Sequence, residues 1–151
     1  MKESKNRSLR IINRDFPLVE TVRDSDEPVF GTVTARDIMH GILKDPKQCP
    51  LARAIGRATK ADGVLVYFNV TYVIKKRTGW RYTNPPTSRQ EILCFDRRSQ
   101  FMPGVYRISA VSPSQRFDYE RPKRRGSGKR SKLRSLGEYR HYTQNVRETP
   151  R

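Results

Sequence analysis

Apolar residues recur with period two over residues 64–74. Val64, Val66, Phe68, Val70, Tyr72 and Ile74 interleave there with Leu65, Tyr67, Asn69, Thr71 and Val73. Both sets are rich in β-branched and aromatic side chains, which predicts one long central strand in a sheet. Lys75-Lys76-Arg77-Thr78-Gly79 then reads as a basic hairpin tip, with Trp80-Arg81-Tyr82-Thr83 returning as the next strand. Upstream, Val29 to Val33 is a short strand. Thr34 and Asp37 have capping-box spacing for a helix to about Leu43, with Ile38, Ile42 and Met39 as its apolar face and Gly41 as an early stop. Lys44 to Gln48 reads as a loop. Cys49-Pro50 opens a second helix with proline at its favoured first position, and Leu51, Ala54, Ile55 and Ala58 form its buried stripe.

Downstream of the hairpin, Asn84-Pro85-Pro86 breaks the pattern. Ser88 and Glu91 have the spacing of a second capping box, opening a helix through Ile92, Leu93, Phe95 and Asp96. A last strand is expected over residues 105–111, after Pro103-Gly104. Beyond Pro113 the periodicity stops apart from Phe117 and Tyr119, and residues 1–28 mix both charges with two prolines and show no sustained period. The predicted organisation is an N-terminal arm (1–28), an α+β domain (29–113) and a basic C-terminal extension (114–151). The domain should hold a small mixed or antiparallel sheet of three to four strands with about three short helices.

Charge changes this picture most at the carboxyl end. The chain of 151 residues carries a net charge of +17. Residues 121–151 hold eleven basic and two acidic side chains, so nine of the seventeen excess charges lie there. Arg121, Lys123, Arg124, Arg125, Lys129, Arg130, Lys132 and Arg134 fall within fourteen residues that contain no acid. Such a run suits a polyanion, because each cation that replaces a condensed counterion on a phosphate gains free energy through ion release, with no fold required. A solvated tail without a dedicated partner has the same composition. Tyr139, His141 and Tyr142 follow this run. They can stack on unpaired bases or pack on protein.

The domain has candidate contacts of its own. Lys75, Lys76, Arg77, Trp80 and Arg81 put cations and an indole on a hairpin, the shape a β-ribbon uses to follow a groove. Lysine at strand ends is also ordinary edge protection. Arg53, Arg57 and Lys60 fall on the side of the second helix opposite its apolar stripe, giving a basic face that either meets an anion or is simply solvated.

No glycine-rich phosphate loop, paired-acid motif or serine elbow occurs, so no enzyme activity and no cofactor are expected. Cys49 at a helix start could be an activated thiol or a buried structural cysteine. His40, His141, Cys49 and Cys94 match no zinc spacing, and no metal site is expected. Two cysteines are too few for a disulfide scaffold, and free thiols are expected. No stretch approaches the roughly 20 apolar residues of a membrane helix, and residues 1–14 lack an apolar run of signal-peptide length. No membrane partner and no secretion are expected.

The core is similar to a pattern found in small, mostly uncharacterised proteins encoded by bacteriophages. The likeness rests on Thr34, Asp37 and Ile38 with Gly41, on Cys49, Pro50, Ala52 and Ala54, and on Phe95 and Asp96 with Pro103 and Tyr106. It covers residues 32–110 and neither extension. The resemblance implies a viral origin and a small α+β domain, and it brings no activity with it. The long basic tail departs from that pattern.

The expectation is therefore a non-enzymatic protein of a host cytoplasm or associated with a virion, binding DNA or RNA with little sequence preference. The alternative is a virion component or host-protein-binding factor whose basic arms contact neighbouring protein subunits. Neither the nucleic-acid type nor the oligomeric state follows from the sequence.

Overall fold

In a computed structural model, which describes residues 4–120 and Pro122, the chain begins with α1 (Lys5–Asn13), β1 (Thr21–Asp24) and β2 (Val29–Val33). It continues through α2 (Ala35–His40), α3 (Pro50–Thr59), β3 (Gly63–Val66), β4 (Val70–Lys75), β5 (Thr78–Thr83), α4 (Pro86–Arg98) and β6 (Gly104–Ile108). One short 3-10 turn follows at Pro113–Gln115. The fold is α+β, with a four-stranded sheet in the order β1-β5-β4-β3 and a two-stranded sheet β2-β6. The pair β1–β5 is parallel and the other pairs are antiparallel. A single bridge between Thr83 and Ser109 ties the end of β5 to the chain leaving β6.

The period-two stretch is a hairpin rather than one strand. It turns at residues 67–69, so β3 and β4 pair with Val64 opposite Val73 and Leu65 opposite Tyr72. Asn84 holds this turn: its side-chain amide donates to the carbonyls of Tyr67 and Phe68, and its backbone N–H donates to that of Asn69. Alternation survived the turn because Phe68 and Val70 continue the apolar pattern across it, which is why periodicity alone could not reveal the break. Both faces of the hairpin are buried. Val64, Val66 and Val73 face one apolar core with Leu51, Ile55, Ile92 and Phe95 from α3 and α4. Leu65, Tyr72 and Ile74 face a second with Ile12, Val19 and Val22.

That second core exists because residues 5–24 are part of the fold and not an arm. Ser4 caps α1 by accepting from the Arg7 N–H, and Ser8 and Ile12, four apart, form its buried side. The Ser8 hydroxyl meets the Tyr72 hydroxyl at 2.9 Å, and Asn13 ties the following turn by donating to the carbonyls of Phe16 and Val19. A helix buried through one serine and one isoleucine leaves almost no apolar period, so it went unpredicted. At the other end the compact unit runs to Tyr119 rather than to residue 113.

Other boundaries shift for local reasons. The Thr34–Asp37 capping box is present, but α2 stops at His40 because Gly41 is extended (φ −66°, ψ 146°). Ser88 is not a cap. It is buried inside α4, where its hydroxyl donates to the Arg107 carbonyl, while α4 itself starts at Pro86. The last strand ends at Ile108 instead of residue 111. Gly31 lets β2 approach α3 closely: a Cβ there would lie 2.9 Å from Ile55 Cδ1 and 3.2 Å from the Ala54 backbone.

Candidate nucleic-acid interface

Amphipathicity of α3 places Arg53 and Arg57 on one side as expected, yet the face they form is occupied from within. Asp37, fixed at the third position of α2 by its reciprocal bonds with Thr34, is 1% exposed and points at α3. Arg57 donates to both of its carboxylate oxygens, at 2.9 and 2.6 Å, and also to the Thr32 carbonyl at 2.8 Å. Arg53 lies alongside, its Nε 3.5 Å from the same carboxylate and buried without a hydrogen bond of its own. The Arg57 bonds hold the Asp37 carboxyl down to about 2, against the opposing effect of burial. Two guanidinium groups sharing one buried acid are a clamp between α2, β2 and α3, and the Arg57 side chain stays 53% exposed on its outer side. Both arginines are thus tied to an acid of the fold, which their assignment as phosphate contacts did not foresee.

The hairpin divides in a similar way. Arg81 is 5% exposed and its Nε lies 2.6 Å from Asp24 Oδ1 on neighbouring β1. It also donates to the Gln115 carbonyl, and its guanidinium stacks on the Phe117 ring with Cζ 3.8 Å from the centroid. The Phe117 N–H donates to the other Asp24 oxygen at 2.7 Å. Arg81 is thus a buried structural cation and unavailable to a nucleic acid. Trp80 points to the opposite face of the sheet, half-buried against the α3–α4 core, so it is a packing residue and not an exposed stacking platform.

At the tip, Arg77 pairs with Glu20 on the surface. Lys75 and Lys76 are exposed. Lys76 takes a left-handed conformation (φ 56°), and its N–H is held by Asp62 Oδ2 at 2.6 Å. Of the seven domain residues predicted to contact nucleic acid, Lys75 and Lys76 alone combine exposure with freedom from a carboxylate partner among the described residues. Arg121, Lys123, Arg124, Arg125, Lys129, Arg130, Lys132 and Arg134 lie outside the described residues.

Cys49 caps α3, its sulfur accepting from the Ala52 N–H at 3.4 Å. Burial pushes its thiol up to about 11, so it is protonated at neutral pH despite its place at a helix start. Among the described residues no three His, Cys, Asp or Glu side chains come together as a metal site.

The acids that organise these clusters, Asp24 and Asp37, were not identified as arginine partners from sequence. They lie 57 and 20 residues from the arginines they bind, and nothing local marks such pairs. No protein-family model matches the chain, and no curated protein or solved structure matches it either.

Proposed function

We propose that this protein binds nucleic acid through its basic C-terminal extension, with little sequence preference, and that the folded unit serves as a platform for that extension. The observation that carries the reading is the run of eight Lys and Arg without an acid in residues 121–134. The engagement of Arg53, Arg57, Arg77 and Arg81 with acids of the fold supports it, because it leaves fewer of the domain's candidate contacts free for phosphate. Contacts made to phosphate alone give affinity and register but no base readout. Gly126, Ser127 and Gly128 separate the two cationic clusters in sequence.

Purification at low salt from the cells that make the protein, with and without nuclease, tests this. Nucleic acid should co-purify with the full chain, be removed by nuclease, and be lost from a variant with the eight cations replaced by glutamine. Retention of nucleic acid by that variant would refute the assignment.

A further inference from the structure

An aromatic ring stands open on the outer face of the two-stranded sheet. Side chains alternate along a strand, so Val33, Tyr106 and Ile108 turn inward while Phe30, Thr32, Val105 and Arg107 share the exposed face. Phe30 is 58% exposed and Val105 67%. Phe30 lies opposite Arg107, and Thr32 opposite Val105, which brings ring, guanidinium and methyl groups onto one surface. A hollow of about 230 Å³ adjoins it, lined by these strands and by Pro85, Thr87 and Ser88 at the start of α4. Ser88 fixes that junction by donating to the Arg107 carbonyl at 2.9 Å.

The next residue of α4, Arg89, holds its Cζ 6.0 Å from the centroid of the Phe68 ring, which is also exposed. Two open rings, each with an arginine beside it, therefore lie by the start of α4. The lining of the hollow holds one cation and no acid. Arg107 has no carboxylate partner among the described residues, unlike Arg57 and Arg81. Trp80, the ring that the sequence offers for stacking, packs against the core instead.

We propose that the Phe30–Arg107 face is a stacking platform for unpaired bases of a single-stranded nucleic acid, an inference that rests on the reading of the extension as a nucleic-acid-binding arm. Every base has a flat face, so an exposed ring stacks on it with little regard to sequence, and a planar guanidinium beside the ring adds a cation–π contact. Bases within a duplex are already stacked on one another, so this face favours single strands. Phosphate contacts stay with the extension. A second copy of the chain would bring a further +17 toward a face that already carries a cation, a repulsion that a polyanion does not meet. A stable protein interface takes about 20–30 residues a side, far more than the few side chains of this face.

The test is fluorescence anisotropy on the full chain, with a labelled twelve-nucleotide oligo-dT strand and a labelled twelve-base-pair duplex at one salt concentration. Phe30→Ala should weaken binding of the single strand about tenfold and leave the duplex unchanged. Phe30→Tyr, which keeps the ring, should bind like wild type. Phe30→Leu, apolar but without a flat face, should behave like Phe30→Ala. Unchanged duplex affinity also shows that the variants remain folded. No loss on the single strand, an equal loss on both probes, or wild-type affinity in Phe30→Leu overturns the platform while the role of the extension stands. A wild-type chain that binds neither probe overturns the reading of the extension and the platform with it.

Discussion

Replacing Asp37 by asparagine isolates the clamp on α3. The substitution keeps the side chain's shape and leaves an oxygen to accept from the Thr34 N–H, so the cap of α2 survives, but it removes the charge that Arg57 and Arg53 share. Removing one partner of a buried ion pair costs about 3–5 kcal/mol. Asp37 is buried, but the Arg57 side chain is 53% exposed and is partly rehydrated when its partner is lost. That lowers the expected cost to about 2–3 kcal/mol, or roughly 10 °C in Tm for a unit of this size.

The pH dependence gives an independent magnitude. The Asp37 carboxyl is held at about 2 in the fold against an ordinary value of 3.8, a gap worth about 2 kcal/mol. A depressed carboxyl contributes fully above the unfolded value, so this stability is present above about pH 4 and is lost as the pH falls toward 2. Urea unfolding of wild type and Asp37→Asn across pH 2–7 should give a stability difference of about 2–3 kcal/mol at pH 6 that shrinks toward zero near pH 2. A difference below about 0.5 kcal/mol at pH 6, or one that does not change with pH, would refute the clamp.

Two further outcomes follow from local geometry. Lys76 sits at φ 56° in the β4–β5 turn, so Lys76→Gly should stabilise the protein by about 0.5–1 kcal/mol in urea unfolding, and a loss of stability would show that the lysine stem contributes more than its backbone strain costs. The buried, protonated Cys49 thiol should react with a thiol reagent at pH 8 only as the protein unfolds, while the half-exposed Cys94 reacts in the folded state; equal rates would contradict the burial of Cys49.

How far the sequence can be read here depends on whether each feature is local. The α2 cap, the proline start of α3 and the Lys75–Thr78 hairpin are specified by a few adjacent residues, and the structure has them where the residue types put them. Helix α1 was hidden because its inner face is Ser8 and Ile12, and the hydroxyl of Ser8 is made tolerable in the interior only by Tyr72, 64 residues away. The turn between β3 and β4 was hidden because Asn84, from after the next strand, closes it.

The basic residues of the domain illustrate the same limit more sharply. On a helical or strand projection Arg53, Arg57 and Arg81 look like solvent-facing cations, and whether such a residue is solvated or clamped depends on an acid elsewhere in the chain. Arg81 shows the extreme case: it sits in a strand between two core-facing neighbours, and Asp24, Gln115 and Phe117 converge on it from both ends of the folded unit. Charge density in residues 121–134, in contrast, is read directly from composition.

The central claim is that phosphate contacts belong to the extension and not to the fold. The most direct measurement is the salt dependence of binding to a duplex DNA probe, for the full chain and for the variant with the eight cations of residues 121–134 replaced by glutamine. The account predicts a slope of log K against log salt that is steeper by about 7 for the full chain than for the variant, in which Lys75, Lys76, Arg140, Arg147 and Arg151 remain. Equal slopes for the two proteins would contradict it and return the interface to the folded unit.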